Sequence, residues 1–305
     1  MRRAGDMNRL CRPLWIAAAA AGFAVGCRQV GDAMIDYAER EGKISSSQAR
    51  GSKAAFHAGL KYAQSHQDIL PRQEFYIGRT VAARLFQRTP AYANDAAADY
   101  VTRVGLTLAQ VSDRPEVYGG YHFAVVDAEE PNAFTCPAGL ILLTRGAVRL
   151  CETEDELAAV LAHELSHAAL KHPLQAIKDV NSIPILGAEA MAEYAKDNER
   201  LKGLTKTFGS CVDNIMDAIY KTGYKPEYEY QADAMAVEIL DRAGYNSAAL
   251  VQVLSRLPDD GGQSATHPKA PERIRRLNAI LKTKVSGHAI ADVRTERFIA
   301  VKNNF

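Results

Sequence analysis

The sequence has almost no excess of either charge: 37 Lys and Arg stand against 36 Asp and Glu in 305 residues. A balanced chain lacks the bulk basic field that nucleic-acid binding needs, so no nucleic-acid partner is expected. Cysteine is scarce, with five in all and none spaced C-x-x-C, which makes a cysteine metal site a poor reading. After the first 27 residues no stretch reaches about 18 consecutive apolar residues, so no later transmembrane helix is expected. No repeat of roughly 30 to 45 residues is visible, which argues against a solenoid. What the chain does have is a hydrophobic content of 47%, enough to fill a sizeable core.

The N-terminus differs from the rest. Arg2, Arg3, Arg9 and Arg12 precede an uncharged apolar run from Leu14 to Gly26 that ends at Cys27, and Met7 offers an alternative start. The run is too short to span a bilayer comfortably. A basic start, a short apolar centre and small residues before a cleavage point read as a secretory signal over residues 1–26. Ala24, Val25, Gly26 and Cys27 resemble the bacterial lipobox, which makes Cys27 the expected lipidation site and the membrane a partner through that lipid. The expected location is the bacterial cell envelope, facing the periplasm. Arg28, in place of an aspartate retention signal, favours the outer membrane. Cys136, Cys151 and Cys211 are then left, read as small buried apolar groups with at most one pair among them.

A lipidated tether and helix is expected over 27–70, a catalytic domain over 71–282 and a C-terminal tail over 283–305. Apolar spacing predicts helices near 72–87, 94–111, 188–201, 204–221, 226–243, 247–256 and 271–282. Alternation predicts strands at about 121–126 and 140–144; the region from Asn132 to Gly139 between them has turn-forming ends and can bring the second strand to the lip of a cleft. The class is α+β, mainly helical, with a small antiparallel sheet. The strongest helix begins near Thr153, where Thr153 and Glu156 suggest a capping box, and ends near Lys171 and His172, before Pro173.

Within that helix stand His163, Glu164, Leu165, Ser166 and His167, the H-E-x-x-H pattern. One turn separates the histidines, so both imidazoles leave one face and can hold a single Zn2+ ion per chain. Glu164 then reaches the water on that ion as general base. A catalytic zinc needs a third ligand. Glu229 and Asp233 share a face of a later helix, so Glu229 can bind zinc while Asp233 accepts a hydrogen bond from a ligand imidazole; Glu227 and Glu238 compete for the same part.

These residues, together with Asn132-Ala133-Phe134 followed by Pro137 and Gly139, and Thr266-His267-Pro268 followed by Arg273, resemble the gluzincin family of the CAAX prenyl protease, HtpX and BepA, in that family's order over about residues 70 to 282. The resemblance implies a zincin-like fold, Glu229 as third zinc ligand, Asp233 behind the ligands, and the strand after Asn132 as the edge along which a polypeptide substrate lies. It implies a zinc endopeptidase acting on misfolded or extended envelope proteins, with envelope assembly machinery as a partner. The competing reading is a chaperone or assembly factor whose metal site is normally shut. Ala138 departs from the family, which usually has a glycine there. The family's membrane spans and tetratricopeptide repeats are not seen, which suggests a peptidase domain alone. His267 follows the Asp259–Gly262 stretch; its imidazole can fill zinc's fourth position as a gate, can stabilise the transition state, or can simply end a loop beside Pro268.

Overall fold

The computed structural model describes residues 26–65, 69–179, 223–257, 267–282, 291–303 and 305. Residues 1–25 of the expected signal, the helices expected over 188–201 and 204–221, Asp259–Gly262, Thr266 and Cys211 lie outside the described residues. The chain divides into two compact units. In one, helices α1 (Gly26–Arg40) and α2 (Ser46–Ser65) pack on each other, with Lys53 on Asp36 at 2.5 Å and His57 on Asp32 at 2.7 Å.

The second unit holds α3 (Pro71–Arg88), α4 (Asp95–Gln110), strands β1 (His122–Val126), β2 (Ala133–Cys136) and β3 (Leu140–Thr144), then α5 (Arg145–Leu150), α6 (Glu154–Ala169), α7 (His172–Asp179), α8 (Pro226–Arg242), α9 (Ala249–Arg256), α10 (Ala270–Leu281) and α11 (Ala291–Lys302). Local chemistry sets these boundaries. Pro71, Pro226 and Pro271 sit in first turns, where a missing N–H costs nothing. Asn94 caps α4 by accepting from the Ala97 amide at 3.1 Å. At α6, Thr153 accepts from the Glu156 amide, but Glu156 reaches back to the amide of Glu152 at 2.6 Å, one residue beyond the expected box.

The sheet is mixed, not antiparallel as expected, with strand order β1-β3-β2. The stretch after Asn132, with its turn-forming ends, contains β2, which pairs antiparallel to β3, while β1 pairs parallel to β3. The reason is two reversals of the chain. One falls between β1 and β2. The other is the tight Pro137–Gly139 turn, with Ala138 at φ 60° and Gly139 at φ 74°. After two reversals β3 runs with β1. Ala138, the residue that departs from the family's glycine, is thus held in the left-handed region. The Glu74 carboxylate, itself paired to Arg114 at 2.9 Å, accepts from the Ala138 amide at 3.0 Å and pins the turn to α3. Gly78 lets α3 approach, since a Cβ there would stand 2.0 Å from the Pro137 carbonyl oxygen.

Helix α6 runs through the core, and α8 is its most extensively packed neighbour. Leu157, Leu161 and Leu165 are fully buried, as are Ala158, Ala159 and Ala162 on α6 and Ala232 and Ala236 on α8. Each leucine contributes about 1.5–3 kcal/mol of burial. That sum offsets part of the cost of enclosing polar groups on the same helix. Among the described residues Cys136 and Cys151 are buried, unpaired thiols, their pKa values pushed up to about 12 by burial.

Residues expected to be a tail also contribute to this core. Phe298 of α11 is fully buried, Arg294 pairs with Asp155 at 2.8 Å, and Arg297 binds the buried carboxylate of Glu154. Tyr100 and Tyr245 donate to the same carboxylate at 2.5 and 2.8 Å. Burial pushes the Glu154 carboxyl up, but Arg297 and the two phenols overcome it and hold it below its ordinary range. A depressed carboxyl stabilises the fold above its unfolded pKa, and that contribution is lost as pH falls through the folded value. Arg297→Ala is therefore expected to cost about 1–3 kcal/mol in urea denaturation at neutral pH. It should also flatten the loss of stability on acidification, since less is left to lose; an unchanged midpoint and acid slope would show that α11 is not held through Glu154.

Candidate metal centre

The site lies where α6, α8, β2 and the start of the segment leading to α10 meet. From α6 come His163, Glu164 and His167, all nearly inaccessible to solvent. The His163 and His167 Nε2 atoms are 3.2 Å apart. Two ring nitrogens that close cannot both present lone pairs without a proton or a cation to share. From α8 comes Glu229, fully buried, whose Oε2 is 3.4 Å from His163 Nε2 and whose Oε1 is 3.4 Å from His167 Nε2. Of the competing acids, Glu227 is exposed, and Glu238, nine residues beyond Glu229 on α8, falls on the opposite face of that helix.

His267 adds a third imidazole, with Nε2 at 3.6 Å from Glu229 Oε2. The ligand atoms of His163, Glu229 and His267 all lie within 4.8 Å of one another. Among the described residues neither oxygen of Glu229 has a hydrogen-bond partner. A fully buried carboxylate with no donor and three imidazole nitrogens aimed at it is the donor set of a zinc site, so the residues present fit that metal. The local field leads the same way. Burial and Arg273 oppose charge on His163, yet Asp233 and Glu229 outweigh them and raise it to about 9. Burial resists the ionisation of Glu229 too, but His267, His167 and His163 hold its carboxyl below the usual range. His167, by contrast, is pushed well down by burial and stays neutral.

Behind these groups stands a supporting layer. Asp233 lies 3.0 Å from His163 Nδ1 and accepts a two-pronged contact from Arg273, at 2.9 Å from Nε and 2.6 Å from a terminal nitrogen. The Nδ1–H of His163 thus has an acceptor, which leaves Nε2 as the ring atom facing Glu229 and His167. Burial works against the Asp233 charge, and Arg273 more than compensates, so the carboxyl stays ionised.

Glu164 is placed by Thr135 of β2, whose hydroxyl lies 2.7 Å from the Glu164 carboxylate and 2.8 Å from its carbonyl oxygen. Burial raises the Glu164 pKa, with His163 and Thr135 opposing. A carboxylate so raised is a stronger base than an exposed one. Tyr224 stacks on His167 at 4.3 Å and donates to the Thr135 carbonyl at 3.1 Å, linking a ligand ring to the edge strand. Thr144 donates to the Asn132 carbonyl at 2.9 Å, so antiparallel alternation turns the backbone groups of Ala133 and Thr135 away from β3, toward the outer edge of the sheet. Asn132 and Ala133 also border an apolar recess shared with His163, Glu164, Val160 and Leu254, while Phe134 is buried. Nothing is described of the Cys27 side chain.

Thr135, Tyr224 and His172 escaped the sequence reading. Thr135 follows the Asn132-Ala133-Phe134 edge and belongs to no motif of its own, and Tyr224 precedes the helix that carries Glu229. His172, which lies 2.9 Å from His167 through facing Nδ1 atoms, was read only as a helix end. Its signal was a third histidine five positions beyond the second.

Comparison with known proteins places these residues in context. Residues 95–281 match the model for peptidase family M48. The chain is similar to the beta-barrel assembly-enhancing protease of Escherichia coli (strain K12), 25% identical over 202 residues that make up 65% of this chain and 40% of that protein. It is also similar to the same-named protein of Yersinia pestis, 26% identical over 208 residues, 66% of this chain and 40% of the relative. The mitochondrial metalloendopeptidase OMA1 of Schizosaccharomyces pombe is 26% identical over 185 residues, 58% of this chain and 51% of that protein. The chain thus spans about two fifths to one half of the length of these relatives. Loss of Glu229 charge tests the donor set directly: Glu229→Gln should lower zinc affinity by more than the roughly 10–100-fold typical of a supporting residue, read by chelator competition. Unchanged zinc content and affinity would move the third ligand elsewhere.

Proposed function

This chain belongs to peptidase family M48, and from that premise we propose that it is a zinc endopeptidase cutting extended or misfolded polypeptides of the bacterial envelope. The observation that carries the reading is the buried Glu229 carboxylate, without a donor and faced by three imidazoles. His163, His167 and Glu229 would hold one Zn2+. When bound, zinc acts as a Lewis acid that lowers the pKa of water to about 7 and polarises a peptide carbonyl.

The chain's own residues do the rest. Glu164, its pKa raised by burial, takes the proton of the attacking water and later returns it to the leaving amine. Thr135 holds that carboxylate in place, and Asp233 with Arg273 keeps the His163 proton on Nδ1. The outer edge of β2 presents the Ala133 carbonyl and the Thr135 amide to an extended segment, which pairs as an added strand. Only an unfolded stretch can add to an edge in this way, which supports misfolded or extended chains as the substrate class. The apolar recess of Val160, Leu250, Val253 and Leu254 beside His163 and Glu164 suits an aliphatic side chain next to the cut bond.

Anchorage through Cys27, on the periplasmic face of the outer membrane, completes the proposal. No helix among the described residues is long and apolar enough to cross a membrane. The similarity to proteases named for enhancing β-barrel assembly supports envelope assembly machinery as a partner. A second reading is favoured by one observation. His267 Nε2 reaches the same carboxylate as the paired histidines, so it can close the metal's open position and keep the site shut, as in a chaperone that rarely cuts.

Two substitutions separate these readings. Glu164→Gln keeps the shape and the metal ligands but cannot accept a proton, so cleavage of an unfolded protein should fall about 10²–10⁴-fold with zinc content unchanged. Cleavage at the wild-type rate would overturn the mechanism. His267→Ala should raise basal cleavage if the imidazole blocks the site and lower it if it stabilises the transition state; a wild-type rate with unaltered zinc binding removes His267 from the chemistry.

A further inference from the structure

Among the described residues His167 has no carboxylate at its outer nitrogen. Its partner there is another imidazole, His172, with the two Nδ1 atoms 2.9 Å apart. His172 is only 2% exposed, the first residue of α7. Lys171 takes a left-handed turn at φ 58° just before it, which ends α6 at Ala169 and folds the chain back. An uninterrupted helix would carry the fifth residue beyond His167 to another face. The turn brings it beside the ligand ring instead. Tyr228 of α8 stacks on His172 at 4.5 Å with the planes 9° apart, and Tyr224 stacks on His167, so both rings are fixed in plane.

Two imidazole nitrogens at hydrogen-bond distance need one proton between them, and which ring donates is decided at the far side of His172. There His172 Nε2 lies 3.1 Å from the side-chain carbonyl oxygen of Gln231. A carbonyl oxygen only accepts, so His172 carries its proton on Nε2 and, being neutral, offers a bare Nδ1. That nitrogen accepts from His167, whose proton then sits on Nδ1 and whose Nε2 lone pair faces Glu229 and His163. The opposite order, begun by an amide nitrogen at Gln231, ends with a proton on His167 Nε2 and no lone pair for a metal.

We propose that His172, held by Gln231, is a positioning residue that fixes the tautomer of His167 so that Nε2 is the metal-binding atom. This rests on the reading of His163, His167 and Glu229 as a zinc site. Helix α8 then serves the site three ways: Glu229 enters it, Asp233 orients His163 directly, and Gln231 orients His167 through His172. A neutral relay on this side also avoids adding a further carboxylate to a pocket that already encloses Glu164, Glu229 and Asp233.

The test uses the full chain. Zinc affinity is measured by chelator competition for wild type, His172→Ala and His172→Asn, and the protonated nitrogen of His167 is read in the metal-free protein by long-range proton–nitrogen NMR correlation. Asparagine places a carbonyl oxygen near the position of His172 Nδ1 and keeps the acceptor. His172→Ala should bind zinc roughly 10–100-fold more weakly, His172→Asn should recover most of that loss, and wild-type His167 should carry its proton on Nδ1. Equal affinity in His172→Ala and wild type, equal losses in both variants, or an Nε2–H tautomer in the wild type would each overturn the relay. Those results leave the zinc site standing; a wild-type chain that takes up no zinc would instead remove the site, and the relay with it. The NMR reading on the wild type decides the question even if His172→Ala fails to fold.

Discussion

The carboxylate of Glu229 is the group around which the catalytic unit is arranged. An ionised carboxylate enclosed without donors costs several kcal/mol even after relaxation, so the surrounding fold has to present positive charge at that point. Among the described residues the permanent positive charge beside it is the Arg273 guanidinium, with a terminal nitrogen 3.9 Å from Glu229 Oε2. A dication satisfies the same field more fully, because it answers the carboxylate and both lone pairs together. Metal binding at the proposed site would therefore be coupled to the stability of this unit, since whatever binds the folded site and not the unfolded chain adds its binding free energy to folding.

Holding the three proposed ligands to within a few ångströms demands rigid elements, and the architecture supplies them. His163 and His167 ride on one buried helix and Glu229 on its most extensively packed neighbour, with small alanines on both helices permitting close approach. Glu164 rides on the first of these helices too, but its carboxylate is oriented from the sheet. Thr135 reaches Glu164 from β2, and β2 is set by the Ala138 turn that Glu74 ties to α3. The strand that orients the base is also the strand proposed to pair with substrate, so a peptide seated on β2 is placed relative to Glu164 by the same backbone.

Much of this was legible in the sequence, and the reasons differ from one element to the next. The H-E-x-x-H helix could be read because its cap, its apolar period and its ligand spacing are all local. Glu229 and Asp233 were legible as a pair one turn apart, though choosing Glu229 over Glu227 or Glu238 needed either resemblance or coordinates. The parallel pairing of β1 with β3 was not legible, since strand order depends on two chain reversals and alternation is blind to direction. Strand β2 is only four residues long and sits between turn-forming residues, so its period never shows. His172 was hidden by Lys171: a left-handed residue between helices is invisible to periodicity, yet it alone decides that His172 turns back onto His167.

The segment that matches the family ends at residue 281, but the folded unit does not. Helix α3 lies before the matched residues and anchors the Ala138 turn through Glu74. Helix α11 lies after them and neutralises Glu154 and Asp155 at the first turn of α6, with Phe298 sealed into the core. Acidic side chains at a helix N-terminus are favourable in themselves, since they face the positive end of the helix dipole, but Glu154 is fully buried and needs counter-charge as well. The helix that carries both histidines is therefore held at its first turn by a segment outside the match and, further along, by its packing against α8, which carries Glu229 and Asp233. A chain cut to the matched residues would retain every proposed ligand and still lack the groups that neutralise the start of the helix presenting them.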